Sequence, residues 1–185
     1  MTLEEIAKKM CAKGTGILAA DESTGTMDKR LKSVNVECTE KNRLAFRQTL
    51  FSSEAMKNFI GGVILFDETI RQKTSLNMTI PELIQKNDAV PGIKVDKGAK
   101  LLAGSSGETI TEGLDGLRER LKEYYELGAR FTKWRAVYKI GEKYPSSQSI
   151  KSNAHALARY AAMVQEAKMV PIVEPEVLMD GSHNI

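Results

Sequence analysis

Five short apolar runs, separated by segments with helical periodicity, limit the folds open to this chain. Their starting points are too far apart for hairpins, but they suit right-handed crossovers between parallel strands, each with a helix in the connection. We therefore predict an α/β fold built on one parallel sheet. The predicted strands are residues 17–20, 63–66, 93–96, 130–137 and 172–176.

Three of these strands carry charged residues two positions apart. The pairs are Lys94 and Asp96, Lys133 and Arg135, and Glu174 and Glu176. Because residues i and i+2 of a strand point to the same side, each pair projects from one face while apolar neighbours occupy the other. Burying an ion is costly unless it is paired, so three such strands indicate one shared polar interior, as in an active site.

The polar ends of the predicted strands distinguish two parallel-sheet architectures. Doubly wound sheets bind ligands in a crevice where the strand order reverses, whereas (β/α)8 barrels use polar residues from the ends of many strands. Several polar strand ends favour the TIM barrel. Such a barrel needs eight strands and about 250 residues. We therefore expect residues 1–185 to form a single incomplete barrel domain with about five of the eight strands.

Composition narrows the possible functions. With 42% hydrophobic and 28% charged residues, the chain resembles a soluble globular protein. A formal charge of +3, spread along the chain, argues against nucleic acid, and the strand cations suit a small anionic ligand such as a phosphorylated metabolite. The two cysteines, Cys11 and Cys38, lack metal-ligand spacing, so we expect no metal and a reducing compartment. No apolar run approaches the roughly 18 residues that span a bilayer, so we expect no membrane association.

Three local features need interpretation. A stripe of apolar residues predicts the buried face of the last helix: Ala154, Leu157, Ala158, Ala161 and Val164. Residues 103–107 are rich in glycine and serine but lack the spacing of a P-loop or a dinucleotide-binding turn, so we interpret them as a plain loop. Asp21, directly after the first strand, could cap the following helix, take part in a site, or do both.

Six segments of the chain resemble class I fructose-bisphosphate aldolase. They follow the family's order and separations, which is far more specific than any one of them alone. They are GILAADESTGTMDKR (residues 16–30), GGVILFDET (61–69), GIKVDKG (92–98), TEGLDGL (111–117), KWR (133–135), and LARYA with VPIVEPE (within 157–176). The resemblance implies a glycolytic lyase that reversibly cleaves fructose 1,6-bisphosphate to dihydroxyacetone phosphate and glyceraldehyde 3-phosphate. It implies a lysine Schiff base and neither metal nor other cofactor.

The resemblance also assigns roles to residues. Asp21 would assist carbon–carbon cleavage, Glu174 would act as acid and base during imine formation, and Lys133 would support that step with its charge. Apart from the resemblance, we interpret Asp96 and Glu176 as partners that orient neighbouring lysines rather than as reactants. The residues assigned to substrate binding are Ser23, Thr26, Arg30, Arg43, Lys94 and Arg135.

One part of the family pattern falls outside the chain. The Schiff-base lysine belongs to the sixth barrel strand, so we expect it after Ile185 and expect residues 1–185 alone to be inactive. The resemblance further implies a cytoplasmic homotetramer when the protein is full length, with a sugar phosphate as its small-molecule partner. The alternative function is that of a noncatalytic truncated paralogue that binds sugar phosphates or a protein partner.

Overall fold

A computed structural model describes residues 1–184 of the chain, which form eight helices and seven strands. The helices are Leu3–Met10 (α1), Thr24–Lys32 (α2), Glu40–Phe51 (α3), Glu54–Phe59 (α4), Asp67–Ile70 (α5), Ile80–Lys86 (α6), Leu117–Glu126 (α7) and Ser147–Glu166 (α8). The strands are Gly16–Ala20 (β1), Ile60–Leu65 (β2), Val90–Lys94 (β3), Ala99–Leu101 (β4), Thr109–Thr111 (β5), Phe131–Tyr138 (β6) and Val170–Val177 (β7). Within the described range, no helix has both the length and the apolar character needed to cross a membrane.

The main sheet has five parallel strands in the order β1-β2-β3-β6-β7. It curls, so that Asp21, just after the edge strand β1, reaches Lys133 on β6. This confirms the predicted α/β fold and the incomplete barrel with five strands. The strand β3 begins earlier than predicted and ends at Lys94, which leaves Asp96 in the loop that follows.

The convex face of the sheet carries the main hydrophobic core, which the helices cover. Ile93, Val95 and Trp134, the predicted apolar neighbours of the charged pairs, are fully buried in it. The fourth member of that set, Thr132, is also buried, and its hydroxyl lies 2.6 Å from the Tyr160 hydroxyl of α8. The alternation expected from the strand period is therefore confirmed.

A smaller apolar cluster fills the concave face near the N-terminal ends of the strands. It contains Ile6 and Met10 from α1 together with Ile64, Val90 and Phe131 from the sheet. Thr2 and Glu5 form a capping box that fixes the start of α1. The helix α1 thus covers this end of the concave face and leaves the opposite end, where the strands finish, for polar residues.

Residues 103–107 form the loop of a small antiparallel hairpin, β4-β5, in agreement with their interpretation as a loop. One local prediction was wrong. The buried face of α8 is rotated from the predicted stripe, because Ala154 and Ala158 are exposed. The buried residues of α8 are Ser149, Asn153, Ala156, Leu157, Tyr160 and Val164.

One buried amide accounts for the rotated buried face of α8. The Asn153 side chain donates to the Thr109 carbonyl (2.9 Å) and accepts from the Thr111 amide (3.3 Å). It therefore anchors the hairpin to α8 and satisfies hydrogen-bonding groups of β5 that would otherwise lack partners. A pattern of apolar residues does not include a buried polar residue such as Asn153. The periodicity therefore predicted the wrong buried face for α8.

Gly92 should be sensitive to any added side chain. A Cβ at this position would overlap the Phe131 ring, whereas a Cβ at Gly25 in α2 would meet nothing within 4 Å. We expect Gly92→Ala to lower the free energy of unfolding by about 1–3 kcal/mol through overpacking. The control Gly25→Ala should not destabilise the protein. Denaturant unfolding measures both changes.

Denaturant unfolding can also test whether overlap with the Phe131 ring causes the destabilisation in Gly92→Ala. Combining Gly92→Ala with Phe131→Leu should cost less than the sum of the two single changes, because the smaller side chain relieves the overlap. An unfolding midpoint for Gly92→Ala equal to that of the wild type would show that the ring moves aside without cost.

Candidate active site

A cavity of about 660 Å³ opens at the C-terminal ends of the strands, on the concave side of the sheet. Parallel α/β folds place ligand chemistry at this end. Most of the predicted site residues line the cavity: Asp21, Ser23, Thr26, Arg30, Lys94, Lys133 and Arg135. The fold therefore gathers, in one place, residues that are spread over more than a hundred positions of the chain.

Lys133 lies between two carboxylates. Its Nζ is 3.0 Å from Asp21 Oδ2 and 3.5 Å from Glu174 Oε1, and the residue is 8% exposed. Burial alone would lower the pKa of Lys133, but the charges of Asp21 and Glu174 and the hydrogen bond to Asp21 outweigh it and hold the pKa above its usual value of 10.5. Lys133 is therefore a cation at neutral pH and supplies fixed positive charge to the cavity.

The strand register explains how these groups meet. Lys133 is paired with Ile172 of β7, and Arg135 is paired with Glu174, so the acidic and basic residues alternate along two neighbouring strands on the same face. Arg135 forms an ion pair with Glu176. Glu176 therefore orients an arginine, and the expectation that it orients a lysine was wrong.

Asp96 connects the Lys94 ammonium to the main chain of Arg135. Its Oδ1 accepts a hydrogen bond from Lys94 Nζ at 2.6 Å and from the amide of Gly98 at 3.0 Å. Its Oδ2 lies 3.4 Å from the amide of Arg135, which donates to it. Because Asp96 is buried and holds Lys94 in this way, it orients that ammonium towards the cavity.

The loop after β1 carries Asp21 and leads into α2. Ser23 is the N-cap of α2, because its Oγ accepts a hydrogen bond from the amide of Thr26 at 3.4 Å. Asp21 therefore does not cap the helix, and that interpretation was wrong. Its carboxylate faces Lys133 instead. Arg30, seven positions after Ser23 on α2, forms an ion pair with Glu22, and both residues line the cavity.

Arg43 is the predicted substrate-binding residue that does not line the cavity. Its Nε lies 2.8 Å from Glu68 Oε2, and its Nη1 lies 2.7 Å from the carbonyl oxygen of Cys38. The hydrogen bond from Arg43 lowers the pKa of Glu68, despite the opposing effect of burial. Arg43 is not among the residues that line the cavity, so its role in binding stays a prediction.

Sequence reasoning missed two charged residues of the cavity wall, Glu22 and Lys97. Both are direct chain neighbours of predicted residues, Asp21 and Asp96, at the ends of strands. Their position after a strand was the available signal, but the alternation rule cannot say where a loop residue points.

The chemistry available in the cavity follows from these groups. Cations from Lys94, Arg135 and Arg30 can bind an anionic ligand, and the carboxylates of Asp21 and Glu174 can accept or donate protons beside it. Both cysteines are free thiols. Across residues 1–184, no three His, Cys, Asp or Glu side chains are grouped as metal ligands would be.

Comparison with known proteins gives consistent results. The family model described as fructose-bisphosphate aldolase class-I matches residues 2–185. A probable fructose-bisphosphate aldolase class 1 from Xanthomonas axonopodis pv. citri is 58% identical over 183 residues, which cover 99% of this chain and 55% of that protein. The cytosolic fructose-bisphosphate aldolase 5 of Arabidopsis thaliana is 57% identical over 99% of this chain and 51% of its own length.

A solved structure agrees with the fold. Fructose-bisphosphate aldolase from Plasmodium falciparum, in complex with TRAP and a small-molecule inhibitor, superposes with a TM-score of 0.95 at 46% identity. The match covers 98% of this chain and 53% of that one. The chain thus spans about half the length of the curated relatives that it matches.

The raised pKa of Lys133 can be measured by its reactivity. Only the neutral amine is acylated, so wild-type Lys133 should begin to react at a higher pH than in Asp21→Asn, where the strongest pKa-raising partner is gone. Asparagine has nearly the size of aspartate, so access to Lys133 is kept. Pulse acylation across alkaline pH, read by peptide mass spectrometry, measures the shift.

The exposed Lys122 of α7 provides the control, because its labelling curve should be the same in both proteins. Identical labelling curves for Lys133 in the wild type and Asp21→Asn would show that Asp21 does not raise the pKa of Lys133.

Proposed function

The chain belongs to the class I fructose-bisphosphate aldolase family, and from this membership we propose that the polypeptide containing it reversibly cleaves fructose 1,6-bisphosphate to dihydroxyacetone phosphate and glyceraldehyde 3-phosphate. The observation that carries the proposal is the placement of Lys133 between Asp21 and Glu174 beside a cavity rich in cations. Such a cavity suits a substrate with two phosphates and a reacting carbonyl between them.

The two carboxylates have separate tasks in this proposal. Glu174 transfers protons as the substrate carbonyl condenses with a lysine amine and loses water. Asp21 takes the proton of the hydroxyl next to the breaking carbon–carbon bond, as the new aldehyde forms. Lys133 keeps positive charge between them, which stabilises negative charge on the reacting oxygens.

The amine that forms the Schiff base must be neutral to attack a carbonyl. Lys133 does not meet this requirement, because its pKa is raised and its charge is paired. In the family pattern the nucleophile lies on the sixth strand of the barrel, and residues 1–184 contribute five strands to the barrel sheet. We therefore assign catalysis to a barrel that includes that strand, with residues 1–185 as part of one domain.

Binding of the phosphates is assigned to the remaining cavity residues. Lys94 and Arg135 present cations from neighbouring strands, and Arg30 presents one from α2. Ser23 and Thr26 can donate their hydroxyl protons to a phosphate oxygen while the Ser23 oxygen continues to cap α2. We assign Arg43 to the surroundings of the binding site, because it would have to break its hydrogen bond with Glu68 to reach a ligand.

Assembly and location are proposed from family membership. We propose a cytoplasmic homotetramer, and the cytoplasmic location is in keeping with plant relatives that are named cytosolic or cytoplasmic. Sedimentation of the complete polypeptide measures the oligomeric state, and a monomer at working concentration would contradict the tetramer.

Glu174→Gln in the complete polypeptide should separate chemistry from binding. We expect kcat for fructose 1,6-bisphosphate cleavage to fall by about 10²- to 10⁴-fold, as for loss of a general acid–base group, with a small change in KM. The control Glu166→Gln alters an exposed carboxylate that pairs with Arg118, and it should retain wild-type kinetics.

Borohydride trapping with dihydroxyacetone phosphate, followed by intact-mass measurement, tests the covalent step directly. The wild type should gain one adduct, and Glu174→Gln should gain it more slowly. A wild-type protein without an adduct would overturn the Schiff-base mechanism, and equal trapping rates would remove Glu174 from it.

A further inference from the structure

A fully buried arginine lies behind the candidate active site. Arg47 of α3 is 0% exposed, and it is not one of the residues that line the cavity. Its Nη2 donates to the carbonyl oxygen of Glu22 at 2.5 Å, and its Nη1 donates to the Thr69 hydroxyl at 2.8 Å. One planar guanidinium thus joins the loop after β1 to the segment after β2.

The charge of Arg47 has weak compensation. Its Nη2 is 3.7 Å from a carboxylate oxygen of Glu22, and its Nη1 is 4.0 Å from one of Glu68. Glu68 is already held by two hydrogen bonds from Arg43, one turn earlier on α3. Among residues 1–184, Arg47 Nε has no hydrogen-bond partner.

A buried guanidinium with so little charge pairing is an expensive way to hold a loop. An apolar side chain of similar volume could fill the same space without the desolvation penalty. What the guanidinium adds is a rigid fork with two aimed donors, a geometry that neither an apolar group nor an ammonium reproduces. The feature therefore indicates a requirement for exact placement of the acceptors.

The first acceptor is the carbonyl oxygen of the residue that directly follows Asp21 in the chain. Glu22 follows Asp21, whose Oδ2 lies 3.0 Å from Lys133 Nζ, and the Glu22 side chain holds Arg30. A displacement of the Glu22 carbonyl would therefore move both the Asp21 carboxylate and the Arg30 cation relative to Lys133.

We propose that Arg47 is a positioning residue that holds the Asp21 carboxylate in its reactive place through the Glu22 carbonyl. This inference rests on the proposed function, in which Asp21 assists carbon–carbon cleavage. Arg47 does not touch the substrate in this scheme. Its effect on the reaction passes through the loop after β1.

Two variants of Arg47 in the complete polypeptide test this role. Arg47→Met keeps much of the volume and removes both donors, and Arg47→Lys keeps the charge but cannot bond both acceptors in the same geometry. We expect each to lower kcat by about 10- to 100-fold, the cost of misplacing a catalytic group by roughly 1 Å, with little change in KM. Steady-state cleavage of fructose 1,6-bisphosphate gives both constants.

A double-mutant cycle with Asp21→Asn shows whether the effect passes through Asp21. If it does, adding Arg47→Lys to Asp21→Asn should change kcat by less than about threefold, because the group being positioned has lost its function. Losses that multiply would overturn the proposal, as would a wild-type kcat in Arg47→Lys.

Arg130 supplies the matched control. It also donates to main-chain carbonyls, those of Tyr125 (2.9 Å) and Ala129 (2.7 Å), but it lies at the start of β6, away from the cavity. Arg130→Met should lower the unfolding midpoint while kcat stays at the wild-type value. Adding Arg130→Met to Asp21→Asn should likewise leave kcat at the value of Asp21→Asn alone.

The outcomes also separate this proposal from the proposed function. A wild-type protein that does not cleave fructose 1,6-bisphosphate would overturn the function. The positioning claim is then tested by Lys133 acylation, since Arg47→Lys should shift the labelling of Lys133 towards that of Asp21→Asn. Unchanged Lys133 labelling in Arg47→Lys would overturn the positioning claim whatever the enzyme does. If Arg47→Met does not fold, Arg47→Lys alone decides these points.

Discussion

The contact between Lys133 and Asp21 depends on the curvature of the sheet. Three strand spacings separate β6 from β1, which is about 14 Å in a flat sheet. The side chains nevertheless approach to 3.0 Å across the concave face. Curling of the parallel strands is therefore what turns separate charged positions into one cluster, and the cluster in turn offsets part of the cost of placing charge on an inner face.

The two faces of the sheet have different roles: the convex face packs against the helices, and the concave face carries the charged residues of the candidate site. On the convex side, Trp134 and Tyr160 belong to a continuous apolar core under the helices. On the concave side, Phe131 fills the lower layer over Gly92, and Lys133 lies two residues further along the same strand face. Because the strand period alternates the faces, the packing that locates Phe131 also sets the height of Lys133 in the barrel interior.

Residues around the cluster of Lys133, Asp21 and Glu174 hold the neighbouring cations and the hairpin in place. Asp96 holds Lys94, Glu176 holds Arg135, and Asn153 anchors the hairpin beside β6. Period-two spacing predicted the charged strand faces, and those faces are confirmed. It could not predict Asn153, because a buried amide interrupts the apolar stripe, nor the partner of Arg43, because Glu68 follows a different strand.

The sequence by itself determined the parallel α/β order, the five strands, the side from which Lys94, Lys133 and Glu174 project, and, through its motifs, the family. Apart from the family, these features follow from local periodicity and from the spacing of the strands, which nearby residues specify directly. Only the tertiary structure decided which charges meet: Lys133 with Asp21, Arg135 with Glu176, and Arg47 with the Glu22 carbonyl. Such pairings depend on curvature and on side-chain reach between distant segments, and neither is encoded in the spacing of residues along one strand.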